Sequence, residues 1–403
     1  MRLPRVRFSV RLLMAFVLIL GGRLGWVVRR AQVQRDAVAA IRQVGGSVVY
    51  DWQWRDGHPH PPGKPGLPGW LLNLLGPDFF YNVKRVGPGD KADDALMAQV
   101  GRLYGLEKLS LNGCKGVTDA GLANLRYLTG LRDLDLSFTG ATGTGLRHLE
   151  GLTRLERLEL PFGPTADADL AHLKGLTSLR WLQLQVTIPT ITDTGLAHLR
   201  GLVNLRTLSL HSPRITSAGL VALHDMTRLE ALYLGHTGVT DIAPIRHLTG
   251  LTSLSLSSTP IDDAGLAHVA GLAELQSVDL SGTKITDAGL VYLRDLKGIT
   301  HLNIDGTKIT DAGLDHVAGL TNLQNLWLNH TAVSDAGLAR LAGLNKVILL
   351  FLEGTRVTDA GLARLEGLKA CEQIAVGKTG VTQAGITTAR RNMPKTRFVR
   401  ISL

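Results

Sequence analysis

The sequence contains three residues of the types used in nucleophilic catalysis at matching positions of a repeated segment. They are Ser277, Asp279 and His301. The stretches 251–274 and 275–298 are near copies of one another, each 24 residues long. If each copy supplies one strand to a sheet, Ser277 and His301 share a column about 4.8 Å apart, and Asp279 lies diagonal to His301. A serine, a histidine and an aspartate in contact are the parts of a hydrolase triad.

Nothing else near these residues indicates a hydrolase. The sequence has no nucleophile elbow at Ser277, and it suggests neither oxyanion donors nor an enclosing pocket. A serine-rich surface produces such triples by chance. The sequence therefore predicts a protein that is not an enzyme, and a hydrolase using Ser277, His301 and Asp279 is the remote alternative.

Histidine and cysteine are spaced unfavourably for chemistry. His58 and His60 lie in the Pro/Gly-rich stretch 57–69, where two flexible ligands seldom hold a metal. Cys114 and Cys371 belong to the first and last full copies, too far apart for a disulfide, whose Cα atoms must lie within about 7 Å. Other histidines recur at one position of the copies, where neighbours about 8–10 Å apart would leave a metal exposed: His148, His172, His198, His268 and His316. No metal, cofactor or disulfide is predicted.

The copies define the fold. In 251–274, Leu254 and Leu256 alternate with serines, as in a strand with one buried face. Leu266 and Val269 then follow at the spacing of a short helix. One copy is too small to bury a core alone, so the copies must stack into a solenoid. Twelve copies begin at these residues: Leu106, Leu131, Leu155, Leu179, Leu205, Leu229, Leu251, Leu275, Ile299, Leu323, Val347 and Cys371.

Most copies contain the motif TDAGL or a variant of it. Thr286 is expected to cap the short helix, Asp287 to face the positive end of its dipole, and Gly289 to leave room for the neighbouring copy. A threonine three residues after the last strand leucine is expected to satisfy the backbone where the chain leaves the strand. Pro244 predicts a 3₁₀ turn instead of a helix in the sixth copy.

The consensus LxxLxLxxTxITDAGLAxLxGL resembles the TDAGL class of bacterial leucine-rich repeat proteins, which are abundant in planctomycetes. It is also similar to the cysteine-containing leucine-rich repeats of F-box proteins. The resemblance covers about residues 82–403 and implies an α/β solenoid, a right-handed arc with an inner parallel β-sheet and short helices outside. It also implies a binding scaffold, because the partner of such repeats is determined by their variable positions.

The net charge of +10 is concentrated at one end of the chain. Residues 1–45 contain nine arginines and one acidic residue, Asp36, whereas the remaining 35 basic and 33 acidic residues nearly balance. The body of the protein therefore lacks the basic surface expected of a nucleic-acid-binding protein, and no nucleic-acid partner is predicted.

Residues 12–28 are mostly apolar and reach the short limit of a membrane-spanning helix. We expect an uncleaved single-pass anchor here, and a cleaved signal peptide or a soluble chain are the alternatives. A first segment of this kind usually keeps its N-terminus inside the cell, which would place the repeats on the non-cytoplasmic side.

Three regions are predicted along the chain. Residues 1–30 form a basic tail and the membrane anchor. Residues 31–81 contain a juxtamembrane helix, the Pro/Gly-rich linker and an N-terminal cap. Residues 82–403 form the leucine-rich repeat domain, in which a degenerate cap repeat precedes about twelve repeats.

The inner, concave face of the predicted sheet carries mostly small polar side chains, but larger ones near the C-terminus. Trp327 and Phe351 share a column, so their rings are expected to be neighbours on adjacent strands. Large apolar residues on a solvated face mark interaction sites. The predicted partner-binding residues are Asn325, Trp327, Asn329, Leu349 and Phe351, together with a second, looser cluster of Trp181 and Tyr233, two repeats apart. Alternatively, the C-terminal strand 397–401 or a second copy of the chain covers the rings.

These observations predict a membrane-anchored, non-catalytic scaffold for protein–protein interaction. A structural or adhesive protein of the cell envelope is the alternative.

Overall fold

The computed structural model describes residues 10–55, 58–59, 66–161, 163–185 and 190–400. The chain forms two compact units, Met1–Leu155 and Glu156–Leu403. The basic residues before position 10, His60 and the insertion near Pro189 lie outside the described residues.

The first unit contains one long helix, a cap and the first repeats. Its helices are α1 (Val10–Gln43), α2 (Gly69–Leu75), α3 (Asp94–Val100) and α4 (Asp119–Leu122). Its strands are β1 (Ser47–Tyr50), β2 (Trp54–Arg55), β3 (His58–Pro59), β4 (Val83–Gly87), β5 (Lys108–Ser110) and β6 (Asp133–Asp135). Four 3₁₀ turns complete it: Asp51–Gln53, Pro77–Phe79, Ala123–Tyr127 and Gly143–Leu149.

The second half of α1 closes the open end of the repeats in this unit. It packs on α3 and buries Ala37 and Ile41 completely. The side-chain amide of Gln34 donates hydrogen bonds to Asp78 Oδ1 (3.1 Å) and to the Tyr81 carbonyl (2.7 Å). Strand β1 pairs antiparallel with β4, whereas β4, β5 and β6 are parallel. A helix and an antiparallel strand thus cover apolar surface that no preceding repeat could bury.

The first half of α1 contains the stretch 12–28 that we expected to span a membrane. The helix is 34 residues long and carries Arg23, Arg29 and Arg30 before its buried half begins at Ala31. In the described part of the chain, no helix is long and apolar enough to cross a membrane. The predicted spanning helix is therefore not supported.

The second unit consists of stacked repeats. Its strands are β7 (Arg157–Glu159), β8 (Trp181–Gln185), β9 (Thr207–His211), β10 (Ala231–Tyr233), β11 (Ser253–Ser255), β12 (Ser277–Asp279), β13 (His301–Asn303), β14 (Asn325–Trp327), β15 (Leu349–Phe351), β16 (Gln373–Ala375) and β17 (Arg397–Val399). They pair in chain order and all in parallel. The predicted inner parallel sheet is confirmed within this unit.

Short helices and 3₁₀ turns return the chain between these strands. The helices are α5 (Asp167–Leu170), α6 (Asp193–Ala197), α7 (Asp263–Leu266), α8 (Asp287–Leu290), α9 (Leu314–Val317), α10 (Asp335–Leu341), α11 (Asp359–Leu362) and α12 (Gln383–Asn392). The 3₁₀ turns are Ala171–Leu173, Gly219–Leu223, Ala243–Ile245, Ala267–Gly271, Val291–Leu293 and Ala363–Leu365. The turn that Pro244 predicts is confirmed.

The predicted strand register is also confirmed. Leu254 and Leu256 are buried, and Ser253 and Ser255 between them are partly exposed. The threonine column behaves as expected, since the hydroxyl of Thr283 donates to the Leu280 carbonyl (2.6 Å). The cysteines Cys114 and Cys371 are buried and unpaired, as expected from their separation.

The aspartate of the repeat motif joins most copies to the next. Asp263 Oδ1 accepts the Thr286 N–H (2.8 Å), and its Oδ2 accepts the Thr286 hydroxyl (2.6 Å). The same bridge joins these pairs: Asp94–Thr118, Asp119–Thr142, Asp167–Thr192, Asp193–Thr216, Asp287–Thr310, Asp311–Ser334, Asp335–Thr358 and Asp359–Thr382. The sequence predicted a role for this aspartate at its own helix dipole and missed the bridge.

The glycine and threonine of the motif serve this bridge. A Cβ atom on Gly289 would lie 2.4 Å from Asp263 Oδ1, so only glycine allows the carboxylate to approach. The Thr286 hydroxyl also accepts the Ala288 N–H (3.3 Å), which confirms the predicted cap. At Asp359, the hydrogen bonds from the Thr382 hydroxyl and N–H hold the pKa of the carboxyl below its ordinary value.

In most described repeats, though not in the one that begins at Leu205, the chain turns sharply where it leaves the open face of the sheet. The residue at this turn has positive φ, as in Gly282 (66°) and Gly354 (68°). Five residues with side chains adopt the same left-handed conformation: Phe138, His236, Ser258, His330 and Lys378. This conformation costs an L-residue roughly 1–2 kcal/mol, so these side chains are placed at an energetic cost.

Candidate functional site

The candidate site lies on the open face of the sheet, the face whose side chains alternate with the buried leucines. In the second unit, the small residues Ser253, Ser255 and Ser277 line this face near its middle. Two large rings follow on β14 and β15. The face therefore changes from hydroxyls to aromatics over a few strands.

Trp327 and Phe351 form the centre of the site. They are register partners on adjacent strands, and their ring centroids lie 5.4 Å apart with an interplanar angle of 1°. Both side chains are partly exposed. The predicted contact between these rings is confirmed, and the stacking follows from side chains of neighbouring parallel strands standing side by side.

The other residues predicted for this patch surround the stacked rings. Asn325 and Leu349 are register partners beside the rings. Asn329 donates its N–H (2.6 Å) and its side-chain amide (2.8 Å) to the Asp305 carboxylate. Its side-chain oxygen accepts the Glu353 N–H (2.7 Å). These bonds hold the upper edge of the patch rigid.

The C-terminal strand does not cover the rings. Strand β17 pairs with β16 and places Val399 beside Ala375, so it extends the sheet sideways. Phe351 has Ala375 as its other register partner, and a small side chain leaves that flank of the ring open. The packing alternative through this strand is therefore wrong for the described residues 397–399.

The second predicted cluster is not formed. Trp181 is the register partner of Thr207, whereas Tyr233 is that of Ser209, so the two rings lie two strands apart and in different columns. The Arg157 guanidinium instead lies 4.1 Å from the centroid of the Trp181 ring. The sequence indicated the correct face but not this diagonal offset.

The three residues of the hydrolase alternative are placed as expected, but their hydrogen bonds lead elsewhere. Ser277 and His301 are register partners. His301 Nδ1 lies 2.7 Å from the Thr300 hydroxyl. Asp279 Oδ1 accepts the Ser281 hydroxyl (2.7 Å) and N–H (3.0 Å). None of these bonds links the serine, histidine and aspartate to one another.

Carboxylates and histidines give the open face its electrostatic character. Burial raises the pKa of Asp305, against the lowering effect of the hydrogen bonds from Asn329. His211 and His236 have ring centroids 6.3 Å apart. Burial, and then the charge of His236, lower the pKa of His211. Among the described residues, no three His, Cys, Asp or Glu side chains are grouped so that they could hold a metal ion.

Comparison with known proteins agrees with this geometry. The family described as Leucine Rich repeat matches residues 247–270 and 274–293. Among solved structures, an internalin (InlF) from Listeria monocytogenes is similar with a TM-score of 0.60 and 24% identity, over 76% of this chain and 83% of that one. The chain has the leucine-rich repeat fold.

Two further structures share this leucine-rich repeat fold. A leucine-rich repeat protein from Leptospira interrogans has a TM-score of 0.55 and 17% identity, over 75% of this chain and 80% of that one. The ectodomain of the Arabidopsis thaliana receptor kinase GASSHO1/SCHENGEN3, solved in complex with CASPARIAN STRIP INTEGRITY FACTOR 2, has a TM-score of 0.52 and 18% identity, over 75% and 39%. No curated protein matches the sequence.

Two features of the leucine-rich repeats were missed at the sequence level. The link between Asn329 and Asp305 depends on two positions 24 residues apart, and a pattern read within one repeat does not reveal it. His330 stands in a left-handed turn at the edge of the site. Glycine at the equivalent positions 282, 306 and 354 was the available signal.

Proposed function

We propose that the protein is a non-catalytic scaffold that binds a protein partner on the open face of its repeats. The binding site is the patch formed by Trp327, Phe351, Asn325, Asn329 and Leu349. The stacked pair carries this proposal, because two large, partly exposed rings stand close to the middle strands β11 and β12, whose open face is lined mostly by serines. Such patches mark interaction sites, and aromatic residues dominate binding hot spots.

The fold supports this proposal in a general way. Leucine-rich repeats present variable side chains on a rigid sheet, so their function depends on the residues displayed there. The plant receptor ectodomain with this fold was solved with a bound partner. A protein-binding role is therefore in keeping with the architecture.

Partner capture by the full-length chain tests the proposal. Proteins retained by the immobilised wild type are identified, and the affinity of each is measured. Trp327→Ala combined with Phe351→Ala is expected to weaken binding by about 30-fold or more, since truncation of a hot-spot residue costs about 2 kcal/mol. Tyr104→Ala combined with Tyr127→Ala removes two exposed rings in the first unit and is the matched control.

Two outcomes would contradict the proposal. If both double variants retain a partner equally, the patch is not the site. If the wild type retains no partner at all, the structural or adhesive role is favoured instead.

We also propose that the first half of α1 attaches the protein to a membrane surface. Among its described side chains, the apolar Leu24 (61%) and Trp26 (62%) are exposed, and the Arg30 guanidinium lies 5.5 Å from the Trp26 ring centroid. Exposed apolar residues interleaved with arginines favour an interface between lipid headgroups and acyl chains.

Co-sedimentation with vesicles of phosphatidylglycerol and phosphatidylcholine tests this attachment. Leu24→Glu combined with Trp26→Glu is expected to release the protein. Trp70→Glu combined with Leu74→Glu changes two residues that are equally exposed (68% and 72%) in α2, and it should stay bound. A wild type that remains in the supernatant, or two variants that behave alike, would rule the attachment out.

A further inference from the structure

We infer that the partner presents an arginine side chain to the open face, in the space between Trp327 and Asp279. This inference rests on the proposed function, which it makes more specific. It follows from the register of four strands, from the orientation of the stacked rings and from the distribution of charge on the face.

Asn303 forms the floor of this space. It lies between two register partners, Asp279 on β12 and Trp327 on β14. Neighbouring strands are about 4.8 Å apart, so the floor is flanked on one side by a carboxylate and on the other by the indole. Asp305 follows two residues beyond Asn303, on the same face.

The free face of the indole is directed into this space. Trp327 stacks on Phe351 with nearly parallel planes, so one face of the indole is occupied by the phenyl ring. Phe351 on β15 and Asn303 on β13 lie on opposite sides of Trp327. The other indole face is therefore available to a planar cation, and guanidinium stacks on tryptophan better than ammonium does.

The two carboxylates are held in place but are not neutralised. Asp279 accepts hydrogen bonds from Ser281 and a longer one from Ser255 (3.4 Å). Asp305 accepts hydrogen bonds from Asn329. In the part of the chain that the structure describes, no lysine or arginine pairs with either carboxylate. Asp279 Oδ2 and both Asp305 oxygens accept one hydrogen bond each and so retain a lone pair for a guanidinium.

The charge of the surrounding face favours a cationic partner. Across the five repeats from Leu251 to Gly354, the open-face positions contain Asp279, Asp305 and Glu353 but no lysine or arginine. Glu353 has Lys378 at 3.8 Å. This acidic region is local, since the whole chain has a net charge of +10. An arginine on the partner would complement it, whereas an acidic segment would be repelled.

The experiment uses peptides as probes and Trp327 as the reporter. Nona-arginine, nona-lysine and nona-glutamate are titrated into the full-length protein at 150 mM salt. The signal from Trp327 is the difference between the fluorescence changes of the wild type and Trp327→Phe. Asp279→Asn combined with Asp305→Asn removes the two charges isosterically. Asp225→Asn combined with Glu274→Gln removes two exposed charges away from the open face and is the matched control.

We expect nona-arginine to change the Trp327 signal, nona-lysine to bind more weakly and nona-glutamate not to bind. The Asp279/Asp305 variant should bind nona-arginine at least tenfold more weakly, while the control variant binds as the wild type does. Equal binding to both variants, or no Trp327 response, would overturn the inference, provided that both variants melt as the wild type does. If a captured partner needs the two rings but not the two carboxylates, the arginine assignment fails and the proposed function stands.

Discussion

Two runs of repeats in the second unit, 156–250 and 251–385, have the same strands but different connections outside the sheet. In the second run every repeat is bridged to the next, from Asp263 to Thr382. In the first run the carboxylate bridge stops after Asp193: Ser217 replaces the next aspartate, and its hydroxyl accepts the N–H groups of Thr240 (3.0 Å) and Asp241 (2.9 Å). Asp241 accepts the N–H of Ala243 in its own copy (2.8 Å). Repeats of the first run therefore stack without a carboxylate bridge at these two positions, and where the bridge is present it adds a further connection.

The candidate site lies on the second run, 251–385, in which each repeat is bridged to the next. A binding surface gains from a rigid support, because less order has to be imposed when the partner arrives. The comparison thus leads to a specific expectation: the outer bridges stiffen the run that carries Trp327 and Phe351. Four experiments would break or sharpen it.

Leu256→Asp should have the largest effect, since it buries an unpaired charge in the continuous leucine column. We expect a loss of about 4 kcal/mol or more in the free energy of unfolding. Hydrogen exchange should show lost protection throughout 251–385 and less loss in 156–250. Ser253→Asp on the open face is the control. Ser253 is preferred to Ser255, because an aspartate at position 255 would lie beside Asp279 and be repelled by it. Equal loss of protection in both runs would show that they unfold as one unit.

Gly289→Ala should come next. The added Cβ would lie 2.4 Å from Asp263 Oδ1 and displace the bridge, at an expected cost of about 2–3 kcal/mol. Gly175→Ala in the first run is the control, since nothing lies within 4 Å of its Cβ position. Urea denaturation measures both. A similar midpoint for the two variants would mean that the close approach is dispensable.

The third experiment compares an aspartate that forms the bridge with one that does not. The variants are Asp263→Ala and Asp241→Ala. The first variant loses two hydrogen bonds to the next repeat and should cost about 2 kcal/mol, whereas the second loses a bond within its own turn and should cost about 1 kcal/mol. Thermal unfolding of both proteins measures the difference. If Asp241→Ala proves the more damaging, the bridges do not stiffen the second run.

Acidification should have the smallest effect, and it should act on the first run through His211. The pKa of His211 is lowered in the folded state by burial and by His236, so the unfolded chain takes up the proton first. Stability should therefore fall as the pH drops through the ordinary histidine range near about 6.5, and reach a plateau below the lowered folded pKa. His211→Gln should flatten this dependence between pH 7.5 and 5. An unchanged pH profile in that variant would assign the effect to another group.

Much of the fold could be predicted because its main signal is local. The alternation of Leu254 and Leu256 with serines determines which strand face is buried, and Pro244 removes a helix donor wherever it stands. The long helix α1 was mispredicted because its apolar run, 12–28, resembles an anchor. Its continuation through Arg29 and Arg30 into a buried half depends on contacts with α3, which no local pattern contains.

The site was only partly predictable for the same reason. Trp327 and Phe351 share a column, so one repeat length was enough to bring them together. Trp181 and Tyr233 differ by two repeats and by one column, and their apparent proximity disappears once the register is known. The orientation of the indole toward Asn303 follows from stacking and could not be predicted from spacing at all.

The bridge between Asp263 and Thr286 has a consequence for how such a chain can change length. Each repeat of the run 251–385 offers a carboxylate forward and a hydroxyl backward, so any two of these copies present compatible ends. Excision of one whole period, such as 275–298, would place Asp263 opposite Thr310, which already meets an aspartate in the same geometry. Duplication of a period is equally neutral, wherever within it the crossover falls. A gene of this kind can gain or lose whole periods by unequal recombination and still encode a continuous stack.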